Sequence, residues 1–369
     1  MRALVMQEEN VFEFKEVAHE NLEENEVRVT IKATALCSFD FKELKECWTL
    51  EYPVIIGHEF SGIITEIGSN VSHLKINDEV IGIPFLPCFT CDDCVASHYS
   101  LCENAKVIGQ NCPGAIAESV VLNEKQVLLI SGISFEEAAL IEPLAKALHN
   151  IVRVQPKITD SAIVFAANAR GLLTIQALYE AGVRNIMIVD RCEKKLSKAI
   201  TYGATATINP LTESIETQVR QQTGGKGANL AFDCDGSPIF KEQCILSCGK
   251  RGKVIFLENS HEHIVFQKKT IDKIMRDELK IEGYKHPYSY PYPGKVWETA
   301  IDLVKKGDVN LMDLLCYRFP LDDAEYAVGM LQANTDKINK VLIVADESLL
   351  EDKHLYSDKS LRRNFWWLR

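Results

Sequence analysis

The segment SAIVFAANARGLLTIQALYEAG, residues 161–182, decides the fold class because a strand pattern runs through a turn into a helix pattern. Residues 162–166 form an apolar run typical of a strand buried on both faces, and the helical pattern at 171–180 is placed to end at Gly182. Further strands follow with helical segments between them, including 185–190, 229–233, 253–257 and 279–283. This alternation predicts a doubly wound parallel sheet and therefore an α/β fold.

The pattern is different on the N-terminal side of this sheet. Short strand patterns separated by Gly, Pro, Asn and Asp predict an irregular antiparallel β domain, and they lie at 26–33, 54–56, 62–67, 79–83 and 117–122. A helical stretch covers 135–153, and after a Pro/Tyr-rich connection at 287–293 the chain is expected to rejoin the β domain. We therefore expect two domains and an extension, with these bounds: 1–150 with 287–346, 151–286, and 347–369.

The composition of the chain limits its partners. Its 369 residues include 41 Lys+Arg and 52 Asp+Glu, giving a net charge of −11, which opposes binding to nucleic acid or anionic lipid. Neither a membrane-length apolar run nor a signal peptide is recognisable, so we expect a cytoplasmic protein. The extension ends in Phe365, Trp366 and Trp367, for which we expect a terminal helix docked on the body or on a neighbouring subunit.

Four cysteines form the strongest motif in the chain. Cys88, Cys91, Cys94 and Cys102 lie within fifteen residues, so their thiolates can close around one Zn²⁺ without ligands from elsewhere. Such a set leaves no open coordination position, which predicts a structural zinc. Free or disulfide-bonded cysteines are the alternative, but twelve cysteines in a reducing compartment suggest metal ligands first.

A second group of residues suits a zinc ion with an open position. His58 and Glu59 follow the predicted strand at 54–56, Cys37 precedes them by about twenty residues, and Glu142 begins the helix that joins the domains. Cys, His and carboxylate ligands are typical of catalytic zinc. Each signal alone is weak, since a single buried Cys or His usually serves packing.

Together with the cysteine motif, these residues resemble the zinc-dependent medium-chain alcohol and polyol dehydrogenases. The likeness covers residues 1–346 and includes short matching segments at 86–91, 141–143 and 293–300. It implies a GroES-like β domain beside a Rossmann domain, two zinc ions per chain, and NAD(H) as cofactor. It also implies that Cys37, His58, Glu59 and Glu142 surround the catalytic zinc, with Asp40 orienting the imidazole of His58.

The cofactor turn is where this chain departs from the family. Its turn, residues 166–171, retains only Gly171 of the usual glycines, although Asn168 tolerates positive φ better than most residues. The resemblance makes Asn168, Arg170 and Gly171 cofactor-binding residues. Asp190, at the end of the next strand, would bind the adenosine ribose and favour NAD over NADP; the alternative is a turn residue.

Other residues of the same pocket also differ from those that the resemblance leads us to expect. Glu258 replaces a glycine beside the nicotinamide, Asp235 replaces a small neutral residue, and Phe39 replaces the Ser or Thr that relays the alcohol proton, although Ser38 is adjacent. Lys146 replaces an apolar or small residue. It is either a helix-face partner of Glu142, worth about 0.3–0.5 kcal/mol, or a cation that opposes the NAD⁺ ring and acts as a base.

Three functions follow from these observations. The first is a zinc-dependent oxidoreductase that transfers a hydride between a polyol or sugar-alcohol phosphate and a nicotinamide cofactor. The second is a zinc enzyme on the same scaffold with non-redox proton-transfer chemistry of lyase or epimerase type, using Lys146 or Glu59. The third is a non-catalytic binding protein that engages a partner through its C-terminal tail. We expect a small-molecule partner and a homo-oligomer, dimer or tetramer.

Overall fold

A computed structural model of the chain describes residues 1–36, 50–260, 262–284, 286–333 and 338–345. It divides into two compact units, Met1–Glu142 with Tyr288–Arg369, and Pro143–Pro287. The predicted domain boundaries, and the roles assigned to the domains, stay predictions. The extension at 347–369 lies outside the described residues.

The first unit is mostly β structure. Its strands are β1 (Arg2–Glu8), β2 (Val11–Glu16), β3 (Glu26–Leu36), β4 (Val54–Ile55), β5 (Glu59–Ile67), β6 (Glu79–Gly82), β7 (Phe85–Leu86), β8 (Lys106–Val107), β9 (Ser119–Asn123), β10 (Val127–Leu129), and, later in the chain, β17 (Leu315–Pro320) and β18 (Lys340–Val344). The largest sheet has the order β10-β6-β5-β3-β18-β17, with β9 also paired to β3. Strand β18 therefore lies two places from β5, which brings Lys340 and Glu59 to the same region of the sheet.

The described part of this unit contains the following helices, of which α3 lies only partly in it. They are α1 (Asp92–Val95), α2 (Phe135–Ala138), α3 (Ile141–Val154), α9 (Lys295–Lys306) and α10 (Ala324–Ala333). Helix α3 begins in the first unit and continues into the second.

The single helix expected at 135–153 is two helices, α2 and α3. Ser134 and Glu137 form a capping box at the start of α2. Pro143 lacks the N–H that a continuous helix would need at this position, but it is tolerated in the first turn of a new helix, where that group has no helical partner. The break therefore places Glu142 in the first turn of α3.

The second unit contains a parallel sheet whose strand order is β13-β12-β11-β14-β15-β16. Its elements alternate along the chain, as the sequence predicted: β11 (Ser161–Phe165), α4 (Ala169–Glu180), β12 (Asn185–Val189), α5 (Glu193–Thr201), β13 (Ala206–Ile208), α6 (Ile215–Gln222), β14 (Ala228–Asp233), α7 (Pro238–Ser247), β15 (Cys248–Phe256), α8 (Lys268–Arg276) and β16 (Lys280–Gly283). Every neighbouring pair in it is parallel. The apolar run of β11 is wholly buried, as expected for a central strand.

Candidate metal sites and nucleotide crevice

The four cysteines of the motif converge in the loop that contains α1. The Sγ atoms of Cys88, Cys91, Cys94 and Cys102 all lie within 4.8 Å of one another. Two of these separations, Cys88 to Cys94 and Cys91 to Cys102, are 3.9 Å. A tetrahedral zinc with bonds of about 2.3 Å places its sulfur ligands about 3.8 Å apart. The geometry and the soft donor set fit one zinc ion with no open position.

Hydrogen bonds already stabilise a thiolate in this loop. The hydroxyl of Thr90, and then the N–H groups of Thr90 and Cys91, lower the pKa of Cys88 to about 5. Burial has the opposite effect and raises the pKa of Cys94 to about 12. Because zinc binds thiolates, metal binding in this loop would release protons from the more protonated cysteines.

A second convergence lies elsewhere in the first unit. Ligand atoms of His58, Glu59 and Glu142 lie within 4.8 Å of one another, and the two glutamates are each only 4% exposed. Nitrogen and carboxylate donors fit a zinc site of the catalytic type. The other proposed residues of this site, Cys37, Ser38 and Asp40, together with Phe39, lie outside the described residues.

A glycine with a positive φ angle lies directly before His58. Gly57 has φ +98°, and a Cβ there would lie 2.7 Å from the side chain of Ile116 and 3.0 Å from its backbone nitrogen. This backbone conformation therefore requires glycine. Gly57 lies between β4 and β5, and His58 directly precedes Glu59, the first residue of β5.

Glu59 is held by a buried lysine. The ammonium group of Lys340 donates to both carboxylate oxygens of Glu59, at 2.5 Å for Oε2. The side chains are 2% and 5% exposed. Both carboxylate oxygens of Glu59 accept a hydrogen bond from Lys340, whose positive charge balances that of the carboxylate. A metal ion bound by His58 and Glu142 would therefore lie beside a carboxylate that is already paired. Its predicted role as a ligand or base stays a prediction.

The turn at 166–171 has the shape of a dinucleotide loop without most of its glycines. The positive φ expected to suit Asn168 lies at Ala166 instead, with φ +79°. Asn168 is extended, caps α4 by accepting a hydrogen bond from the N–H of Gly171, and donates to the carbonyl of Cys234. A Cβ on Gly171 would lie 1.9 Å from the carbonyl oxygen of Ala166, so this last glycine is required.

Asp190 follows β12 beside this turn. Its carboxylate accepts hydrogen bonds from the N–H groups of Ala167 and Cys192, both at 2.8 Å. Each oxygen thus has one backbone donor and keeps acceptor capacity for another group. This arrangement fits a carboxylate that accepts from a ribose hydroxyl, so the adenosine half of a dinucleotide matches the residues present.

The neighbouring half of the crevice is filled by charged side chains. Arg170, in the first turn of α4, donates to the carbonyl of Leu257 and to the carboxylate of Glu258. Lys241 donates to Asp233 and to the carbonyl of Glu258, both at 2.6 Å. The side chains of Glu258, Asp233 and Lys241 are at most 5% exposed, and that of Arg170 is 21% exposed. These residues do not match a pocket for a nicotinamide ring.

Lys146 is half-buried on α3, four residues after Glu142. Residues at this spacing share a helix face. Its role as a base, or as a helix-face partner of Glu142, stays a prediction.

The comparisons with known proteins agree with this geometry. The alcohol dehydrogenase GroES-like domain matches residues 23–132, and the zinc-binding dehydrogenase family matches residues 170–306. Galactitol 1-phosphate 5-dehydrogenase of Escherichia coli K12 is 31% identical over 328 residues, covering 87% of this chain and 93% of that protein. The chain belongs to the zinc-dependent medium-chain alcohol and polyol dehydrogenases.

Solved structures of this dehydrogenase family give the same result. The structure of galactitol-1-phosphate dehydrogenase from Escherichia coli has a TM-score of 0.87 and 30% identity, covering 93% of this chain and 100% of that one. A Sinorhizobium meliloti 1021 protein of the zinc-binding dehydrogenase type, bound to NADP, has a TM-score of 0.83 and 25% identity, covering 93% and 98%. These results confirm the predicted fold and the assignment to this class of enzyme.

Two residues near the second metal site were missed by sequence reasoning. Lys340 is 281 positions from Glu59, and no local pattern reveals a pair of that separation. Tyr288 belongs to the predicted Pro/Tyr-rich connection but is buried, with its ring stacked on Phe85 at 4.8 Å and on Trp297 at 6.0 Å. Burial, and then Tyr292 and Glu142, raise the pKa of Tyr288. Its phenol therefore stays protonated near Glu142.

Among the residues that the structure describes, no helix has both the length and the apolar character needed to cross a membrane.

Proposed function

We propose that this dehydrogenase is a zinc-dependent oxidoreductase that acts on a polyol or a sugar-alcohol phosphate with a nicotinamide cofactor. The observation that carries the proposal is the convergence of His58 and Glu142 within 4.8 Å of one another, separate from the closed four-cysteine set. The four cysteines would fill every coordination position of one zinc ion, as in a structural site, and we call them the closed set. His58 and Glu142 would leave a position for substrate, as at a catalytic zinc, and we call them the open set. The relative named for galactitol 1-phosphate supports the substrate class.

The residues of the open set would divide the work as follows. His58 and Glu142, with Cys37 by family resemblance, would bind the ion, and Lys340 would hold the Glu59 carboxylate in place beside it. A zinc ion with an open position supplies Lewis-acid chemistry that lowers the pKa of a bound alcohol. Ser38 would receive the alcohol proton. Asp190, with its carboxylate held by two backbone N–H groups, favours NAD over NADP because a second negative charge there would be repelled.

A second function is favoured by one specific observation. The Arg170–Glu258 pair lies where the resemblance expects a nicotinamide ring, and Lys146 adds a cation on α3. A zinc enzyme of this kind would polarise a carbonyl or hydroxyl group and move protons without redox chemistry, as in a lyase or epimerase. The predicted homo-oligomer is compatible with either function.

One experiment tests the proposed function. The purified enzyme is assayed with galactitol 1-phosphate, with other polyol phosphates and with free polyols, using NAD⁺ or NADP⁺, while zinc is measured by elemental analysis. We expect about two zinc ions per chain, and oxidation that needs zinc and prefers NAD⁺. His58→Gln should lose activity and one zinc. The matched variant His73→Gln changes an exposed histidine and should keep both. Zinc-loaded enzyme that consumes no alcohol with either dinucleotide would favour the proton-transfer function.

A further inference from the structure

The nucleotide crevice of the second unit has two halves that differ in charge and in space. In the parallel sheet the strand order reverses between β11 and β14. Ligands of doubly wound sheets bind at this switch point, outside the carboxyl ends of the strands, with one mononucleotide over each half of the sheet. One half thus lies over β11, β12 and β13, and the other over β14, β15 and β16.

The first half has the features of an adenosine site. Asp190 stands at the carboxyl end of β12 with acceptor capacity remaining on both oxygens. Arg191, directly after it, is exposed. Gly171 allows the first turn of α4 to approach the turn at Ala166 closely, and a helix N-terminus at this point favours a phosphate.

The second half is closed by a network that ties its strand ends together. Arg170 extends from α4 to the carbonyl of Leu257 and the carboxylate of Glu258, both just after β15. Lys241 joins Asp233, the last residue of β14, to the carbonyl of Glu258. The loop after β14 packs against the same glutamate, because a Cβ on Gly236 would lie 2.9 Å from the Glu258 side chain.

This network opposes the second mononucleotide in two ways. The Arg170 and Glu258 side chains occupy space at the strand ends, and a buried pair of opposite charges is costly to separate because each charge loses its partner. A positively charged nicotinamide ring would also meet the guanidinium group of Arg170. The network therefore removes binding energy that the second half of a dinucleotide would otherwise gain.

We propose that the Arg170–Glu258 pair closes the nicotinamide half of the crevice, so that this protein binds the ADP-ribose portion of a dinucleotide and gains little affinity from the nicotinamide. Arg170 and Glu258 are then specificity-determining residues for the cofactor. The proposal rests on the proposed function only in taking this crevice as the cofactor site. Redox turnover then requires the pair to separate, which predicts weak and salt-sensitive use of the dinucleotide.

The test compares ADP-ribose, NAD⁺ and NADH on the wild-type, zinc-loaded protein by titration calorimetry, with nicotinamide fluorescence of NADH as a second signal. We expect ADP-ribose to bind, and each dinucleotide to bind less than about tenfold more tightly than ADP-ribose does. Bound NADH should fluoresce like free NADH. Dinucleotides that bind more than about tenfold more tightly, with enhanced fluorescence, would overturn the proposal. Failure of ADP-ribose to bind would overturn it as well.

Variants of the pair give an independent measurement. The double variant Arg170→Val with Glu258→Gly opens the second half of the crevice without leaving one charge of the pair unpaired. It should raise the affinity for NADH at least about tenfold and change the affinity for ADP-ribose less than about threefold. The matched control, Arg251→Gln with Glu278→Gln, neutralises an exposed pair in the same unit and should change neither. An opened variant that folds but binds NADH no better contradicts the proposal.

These outcomes separate this proposal from the proposed function. Tight NADH binding together with alcohol oxidation would support the proposed function and contradict the closure of the nicotinamide half. ADP-ribose binding without a gain from nicotinamide, and without any oxidation, would support the closed half and reject the oxidoreductase.

Discussion

Lys340 and Glu59 form a buried ion pair between residues 281 positions apart, in which the ammonium group meets both carboxylate oxygens. Strand β3 lies between the strands that carry them, so the pair spans three strands of the main sheet of the first unit. Both side chains are at most 5% exposed. Removing one member of such a pair leaves an uncompensated charge in a medium that solvates it poorly.

Lys340→Met should therefore lower the free energy of unfolding by about 3–5 kcal/mol. The double variant Lys340→Met with Glu59→Gln should recover part of this loss of stability, because neither charge of the pair remains. Urea denaturation measures both. Lys15→Met, which breaks the exposed pair with Glu13, should cost less than about 1 kcal/mol. Equal effects at the two lysines would show that the buried pair contributes no special stability.

Cys91→Ser should remove about one zinc per chain and destabilise the first unit, because a closed thiolate site adds its binding free energy to folding. Elemental analysis and thermal unfolding would measure the two effects. The control is Cys192→Ser, an exposed cysteine outside the cluster, which should keep both zinc content and stability. Unchanged zinc in the Cys91 variant would reject the structural-zinc assignment.

Ala166→Gly should stabilise the protein, although glycine usually destabilises. Ala166 has φ +79°, where a Cβ costs about 1–2 kcal/mol, whereas the added chain entropy of glycine costs about 0.5–1 kcal/mol. We expect a net gain of up to about 1 kcal/mol by urea denaturation. Ala177→Gly, in the buried interior of α4, should instead lose about 1 kcal/mol. A loss at both positions would mean that Ala166 is not strained.

Local patterns in the sequence predicted most of the fold. The apolar run at β11, the alternation that follows it and the cysteine spacing each depend on residues close together in the chain. The break between α2 and α3 was missed although Pro143 signals it, because an apolar helical pattern continues across both helices.

The contents of the crevice were beyond sequence reasoning for a different reason. Arg170 was predicted to bind the cofactor and Glu258 was identified as an unusual substitution, but 88 residues separate them. Their pairing follows from the lateral order of β11, β14 and β15, which sequence patterns do not specify. The same holds for Lys340, since only the pairing of β18 with β3 brings it to Glu59.

His149 should make stability depend on pH below neutrality. Burial, and then the neighbouring Arg153, lower its pKa from 6.5 to about 4. Between these values the unfolded chain binds a proton that the folded protein does not, so stability is full above pH 6.5 and falls as pH drops toward 4. His149→Gln should remove this pH dependence, which amounts to about 3 kcal/mol between the two pKa values, as measured by urea denaturation at several pH values. His73→Gln, at an exposed site, should leave the slope unchanged.

Lys146→Val separates the two proposed functions. Lys146 lies one turn after Glu142 on α3 and is half-buried. A cation near the nicotinamide would repel the oxidised ring more than the neutral reduced ring, so any difference in affinity between the two dinucleotides should favour NADH. If the protein is an oxidoreductase, valine should keep or improve NAD⁺ affinity and alcohol oxidation. If Lys146 is instead the base of a proton-transfer reaction, that reaction should fall by about 10²–10⁴-fold while both zinc ions stay bound. Lys194→Val, an exposed lysine on α5, is the control and should alter neither. If Lys146→Val also leaves cofactor affinity and activity unchanged, Lys146 only supports the helix, and neither function uses its charge.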